Sequence, residues 1–140
     1  MTRILIPFTD PDQGERAIRR LLEEKHAASA EVELLAVVEP LSPGKVSIFL
    51  SHERAEELAG AAAARWLKQL EPLLTAARIK HRSRLALGAP KKVIAEAMRR
   101  EDIDRVLLPM SVSRWLGRAV LDRRAGQSSR VTPHPVTVVS

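Results

Sequence analysis

The feature that most limits what this chain can fold into is an alternation. Five short apolar runs of strand length, Ile4 to Phe8, Val32 to Val38, Ile79 to Leu87, Arg105 to Met110 and Pro135 to Val139, are separated by longer segments whose apolar residues recur at helical spacing. Strand, helix and strand in succession close a right-handed crossover, and repeating that unit gives a mostly parallel sheet with helices on both faces. At 140 residues without internal repeats, one domain spanning residues 1–140 is expected. Ligands of open parallel sheets lie beyond the carboxyl ends of the strands, near the point where strand order reverses. The segments to inspect are therefore Thr9-Asp10-Pro11, Val38-Glu39-Pro40, Gly88-Ala89-Pro90 and Pro109 to Arg114.

Local signals support the alternation. Asp10, Pro11 and Gln13 read as an N-cap, a proline at N1 and a capping partner at N3. The helix that follows is expected to bury Ala17, Ile18, Leu21, Leu22 and Ala28 and to expose Arg16, Arg19, Arg20, Glu23 and Glu24. Ser42-Pro43-Gly44 marks Pro40 to Leu50 as a loop, either a lid or a connector. From about Ser51 to Ala77 a long amphipathic helix turns Ala55, Leu58, Ala59, Ala62, Trp66, Leu67, Leu70, Leu73 and Leu74 inward, and Pro72 is expected to bend or shorten its last turn. Ile79 to Leu87 alternates with one solvated, basic face, as suits a sheet edge. After Gly88-Ala89-Pro90 a third helix turns Val93, Ile94, Ala97 and Met98 inward and Lys91, Lys92, Arg99 and Arg100 outward. Ser111 or Ser113 is expected to cap a fourth helix running through Leu116, Ala119 and Val120 towards Gly126.

Composition narrows the chemistry. The absence of cysteine excludes disulfide scaffolds, thiolate nucleophiles and cysteine zinc sites together. No apolar run reaches the length of a membrane span, and Met1-Thr2-Arg3 leads directly into the first strand, so a cytoplasmic protein is expected. The net charge of +6 is unevenly placed. Residues 1–78 hold 10 Lys/Arg against 12 Asp/Glu, while residues 79–140 hold 13 against 5, giving −2 and +8. Such asymmetry fits a polyanion or a phosphate-bearing ligand on the C-terminal half, and it equally fits solvated helix faces.

Familiar catalytic and phosphate-binding motifs are missing. There is no GxGxxG and no GxSxG, and Gly44-Lys45 lacks the upstream glycine of a P-loop. His26, His52, His81 and His134 lie on different elements without metal-ligand spacing. Asp10 and Asp12 stand where a metal or ribose could be contacted, but Asp10 is already accounted for as a helix cap, and the two roles are compatible. The fourth helix carries most information. Ser111 and Ser113 supply hydroxyls near its start, where the helix dipole favours an anion. Arg114 and Arg118 follow within a turn, with Arg123, Arg124 and Arg130 beyond. Trp115 either stacks on a base or anchors the helix to the sheet.

Over nearly its whole length the chain resembles the universal stress protein family. The resemblance rests on Ile4-Leu5-Ile6-Pro7 followed by a helix with Glu15-Arg16-Ala17, on Leu34 to Pro40, on Gly88-Ala89-Pro90, on Val106-Leu107-Leu108, and on Pro133 to Val139, in that order and spacing. It implies a three-layer α/β/α, Rossmann-like fold of the adenine nucleotide alpha hydrolase-like type, with a five-stranded parallel sheet in the order 3-2-1-4-5. It also implies a homodimer paired through the last strands, here Val136 and Val138. Many members bind ATP through Gly-x2-Gly-x9-Gly-Ser/Thr after the fourth strand and an Asp after the first. Counting back from Pro133, those glycine positions fall on Pro109, Val112 and Asp122, with Arg123 in place of the hydroxyl, and the Asp position falls on Thr9, beside Asp10.

Two functions from different classes follow. In the first, the chain resembles the A-type members without the ATP motif: a non-enzymatic homodimer that acts in stress resistance through protein contacts, with no cofactor and no catalytic residue. In the second, it is a binding module for ATP, another phosphorylated ligand or nucleic acid. The cleft for such a ligand is expected at Pro7, Thr9 and Asp10 after the first strand, Val37 and Val38 at the end of the second, and Pro109, Met110, Ser111, Ser113, Arg114, Arg118 and Arg123 around the fourth helix.

Overall fold

The computed structural model describes residues 1–40, 51–116 and 134–140, the side chains of His52 and Trp115 excepted. Its five strands are β1 (Thr2–Phe8), β2 (Ala30–Val38), β3 (Lys80–Leu87), β4 (Arg105–Pro109) and β5 (Val136–Val139). The helices are α1 (Pro11–Leu22), α2 (His52–Ala76), α3 (Pro90–Met98) and α4, described over Met110–Leu116. All strand pairs are parallel and the order is β3-β2-β1-β4-β5, as the resemblance implies.

The continuous apolar runs of β1, β2 and β4 are what a sheet covered on both faces requires. Even-numbered residues of β1 and β2, such as Ile4, Ile6, Phe8, Val32 and Leu34, pack with Ala17, Ile18 and Leu21 of α1 and Leu67, Leu70 and Leu74 of α2. Leu5, Leu35 and Val37 point the other way, onto Ile94 and Met98 of α3 and Val112 and Leu116 of α4. At the crossing of α1 and α2 the helices need a residue without a side chain. A Cβ on Gly14 would lie 2.5 Å from Leu70 Cδ1 and 3.3 Å from the Phe8 ring.

The capping signal of α1 is realised with one residue's offset. Asp10 accepts from Gln13 N at 3.0 Å, and Gln13 Oε1 accepts from Thr9 N at 2.9 Å rather than from Asp10 N. Ser51 caps α2 by accepting from Arg54 N. Pro72 does not shorten α2, which continues to Ala76. Its end is a Schellman turn. Ile79 N donates to Leu74 O and Arg78 N to Thr75 O, both at 3.0 Å, with Arg78 at φ 57° in the left-handed position that glycine usually fills.

Several sequence expectations are corrected. Leu22 and Ala28 are exposed, because α1 stops at Leu22 and the following 3₁₀ turn, Ala27–Ser29, buries Ala27 instead. Leu58 is exposed on α2. On the edge strand β3, Leu85 and Leu87 are exposed although His81 and Ser83 on the same face are half-buried, Ser83 donating to Glu71 of α2 at 3.0 Å. The apolar alternation there is therefore not a burial pattern. α4 starts directly after β4 at Met110, so neither Ser111 nor Ser113 is its cap. Most of the loop from Pro40 to Leu50 and the stretch of the fourth helix through Ala119 and Val120 to Gly126 lie outside the described residues.

Two substitutions test this account with opposite signs in chemical denaturation. Arg78→Gly is expected to raise stability by about 1 kcal/mol by removing the strain of a left-handed non-glycine residue. Gly14→Ala is expected to lower it by about 1–3 kcal/mol, since Leu70 is fully buried and must move.

Candidate functional site

Parallel pairing aligns the carboxyl ends of the strands, and the register sets Pro109 of β4 opposite Val139 of β5. Beyond that pair lies a cleft of about 300 Å³ lined by Gln13 and Arg16 of α1, Pro109, Met110, Ser111 and Arg114 at the β4–α4 junction, and Val139 and Ser140. A second groove of about 260 Å³ continues from it along α1 and β5, sharing Arg16, Val139 and Ser140 and adding Arg19, Arg20, Glu23 and Val138.

Of the residues expected around the ligand, Pro109, Met110, Ser111 and Arg114 come together in this cleft. The others do not. Pro7 and Val37 are buried inside β1 and β2, and Val38 ends β2, where its carbonyl accepts from Gly88 N at 3.1 Å. Thr9 and Asp10 are occupied by the cap of α1. Ser113 is buried and donates to Met110 O at 2.7 Å, which spends its hydroxyl inside the first turn of α4. Arg118 and Arg123, together with Arg124, Arg130 and Asp122, lie outside the described residues. Gln13, Arg16, Val139 and Ser140 were not anticipated. Arg16 carried one signal, its place a single turn into the helix that follows β1.

The strongest electrostatics lie at the opposite, amino end of the sheet. Glu33, in the middle of β2's apolar run, is completely buried. Its Oε1 accepts from Arg82 Nε at 2.8 Å and Arg100 Nη2 at 3.1 Å, and its Oε2 accepts from Arg100 Nη1. Arg100 was expected to face solvent from α3. It instead folds back over Glu33 and also grips Asp102, with Nε and Nη2 at 3.0 and 2.6 Å from the carboxylate oxygens. Asp102 further receives Arg82 at 3.1 Å and Arg3 at 3.3 Å, and Arg3 reaches Glu31 at 3.5 Å. Three arginines thus face three carboxylates. Hydrogen bonding from Arg100 holds the Asp102 carboxyl well below the usual range, and the same contacts with Asp102 and Glu33 push the Arg100 guanidinium up. Nearby, Arg105 donates to both Glu24 oxygens at 2.7 and 3.0 Å, and that contact lowers the Glu24 carboxyl. A balanced, mutually satisfied network of this kind joins elements and leaves no group poised for proton transfer.

Comparison with known proteins fits this geometry. The model of the universal stress protein family matches residues 1–140. The chain belongs to that family. A universal stress protein family structure from Burkholderia pseudomallei is 17% identical, with a TM-score of 0.70 and coverage of 99% of this chain and 95% of that one. The Archaeoglobus fulgidus universal stress protein solved in complex with dAMP is 15% identical, with a TM-score of 0.65 and coverage of 100% and 98%. The Arabidopsis thaliana family protein with AMP bound is 18% identical, with a TM-score of 0.62 and coverage of 99% and 91%. At these identities the likeness carries the fold. No curated protein is a significant sequence match.

The depressed Asp102 carboxyl makes a prediction about acid. Its stabilising contribution is complete above the ordinary aspartate value of 3.8 and is lost as pH falls through the lower value of the folded state. Acid titration of stability should therefore show a loss below about pH 4 that is shallower in Asp102→Asn, measured by denaturant midpoints at successive pH values.

Proposed function

We propose that the chain is a universal stress protein of the A-type kind that keeps no glycine cradle for ATP: a cytoplasmic, non-catalytic homodimer that acts in stress resistance through protein contacts. The observation that carries this reading is the β4–α4 junction. A phosphate cradle needs glycines whose backbone N–H groups can close on the ligand. At the first two of the three corresponding positions stand Pro109, which is buried and has no N–H, and Val112, which is fully buried in the core between α3 and α4. α4 begins at Met110, directly after β4, so no loop separates strand from helix at these two positions.

Homodimer formation is supported by β5. Among the described residues it pairs only with β4 and no strand adds to its outer edge, and Val136, Thr137 and Val138 are half-buried and uncharged. An unprotected apolar edge strand invites pairing with another chain.

A second reading, that the protein binds a phosphorylated ligand, is favoured by the cleft at the ends of β4 and β5 with Arg16 and Arg114 on its walls. Relatives of the same fold have been solved with AMP and dAMP.

Two experiments bear on these readings. Calorimetric titration with ATP should give no saturable heat, and micromolar binding would remove the first reading. Val138→Asp should convert a dimer to a monomer in light scattering with the circular dichroism spectrum retained. An unchanged dimer mass in a folded variant would place the interface elsewhere.

A further inference from the structure

Arg16 and Arg114 come from opposite helix layers. α1 packs on the face of the sheet formed by Ile4, Ile6 and Phe8, whereas α4 packs on the face formed by Leu5, Leu35 and Val37. They meet only over the ends of β4 and β5, where both line the same cleft. Their neighbours on α1 are neutralised: Arg19 pairs with Glu15 at 3.1 Å and Arg20 with Glu23 at 3.5 Å. Among the described residues neither Arg16 nor Arg114 has a hydrogen bond or ion pair to any carboxylate.

The rest of the lining points to the same chemistry. Among the described residues it contains no Asp or Glu. Gln13 also lines the cleft, and because its Oε1 is spent on Thr9, its remaining polar group is the NH₂ donor. Ser111 adds an exposed hydroxyl. Two guanidiniums, an amide NH₂ and a hydroxyl form a set dominated by donors, suited to an acceptor with several oxygens and negative charge. The cleft, at about 300 Å³, is larger than a phosphate group, and its remaining described wall is Ser140 and the apolar Pro109, Met110 and Val139. Among the described residues no aromatic side chain lines it.

We propose that Arg16 and Arg114 form a two-arginine clasp for a phosphate monoester, assisted by Gln13 Nε2 and Ser111 Oγ, with the organic part of the ester lying on Val139 and Met110. This rests on the second reading above and adds to it the contribution of α1 and the class of ligand. Among the described residues Thr9, Asp10 and Val38 do not line the cleft, and Thr9 and Asp10 adjoin the clasp only through their hydrogen bonds with Gln13.

The test is calorimetric titration of the full chain at low salt with ribose 5-phosphate, and with ribose as the uncharged control. The clasp predicts saturable binding of the phosphate ester alone and a loss of about tenfold or more in each of Arg16→Ala and Arg114→Ala. Arg16→Lys keeps the charge but not the planar fork and should recover only part of the loss. Both side chains are exposed, so unchanged thermal melting is expected in every variant. Should a variant fail to fold, perturbation of the Arg16 Nε–H resonance in the unsubstituted chain on adding ribose 5-phosphate gives the same information, and an unmoved resonance overturns the clasp. Binding abolished by Arg114→Ala but untouched by Arg16→Ala overturns the clasp and leaves the second reading standing. Absence of binding to the unsubstituted chain, or binding indifferent to both substitutions, overturns the clasp, and in the latter case the second reading stands with its site elsewhere.

Discussion

A carboxylate buried inside a parallel sheet is the constraint around which this protein is arranged. Glu33 sits in β2 with apolar residues before and after it, and taking such a charge out of water costs several kcal/mol unless partners replace the lost hydration. Arg82 supplies one from the adjacent strand, in direct register with it, and Arg100 supplies another from the turn after α3. Asp102 then restrains both arginines and draws in Arg3 of β1. The edge strand, the inner strands and the approach to β4 are thereby tied at one end. Replacing the ensemble by apolar side chains could be equally stable, but an apolar cluster would not demand this register with the same precision.

With the amino ends of the strands tied, the carboxyl ends are free to differ. There, among the described residues, Arg16 and Arg114 have no carboxylate partner, and helices from the two layers lean over the β4–β5 pair. The two ends hold opposite electrostatic states. One is balanced within itself; the other, among the described residues, is not. The +8 of the C-terminal half is correspondingly divided, since Arg82, Arg100 and Arg105 are absorbed by carboxylates whereas Arg114 meets none among the described residues.

Much of the fold was legible in the sequence because parallel strands are recognised by continuous burial and helices by period, both local properties. The cap of α1 and the basic edge strand followed from the same kind of signal. What was missed depends on distance along the chain. Glu33 could have been singled out, since a carboxylate in the middle of an apolar strand requires buried cations, but which arginines answer it is a matter of topology. Arg100 was assigned to solvent from its position on the helix, and the turn that follows carries it back. The cleft was half legible: residues 109–114 follow from the end of β4, while Arg16 joins them only because α1 and α4 overhang the same strand ends. The exposed Leu58, Leu85 and Leu87 show where apolar spacing alone misleads, on an edge strand and on the first half of a long helix.

The two borders of the sheet are chemically unlike. β3 presents Lys80, Arg82 and Arg84 at one border, charges that discourage a second strand from adding there, while β5 presents valines and a threonine at the other. A sheet with one guarded and one unguarded border has a built-in stopping rule. If two copies join through β5, the shared border disappears from both and the combined sheet ends in β3 on either side. Association by that route is closed under a two-fold axis and cannot propagate into a filament.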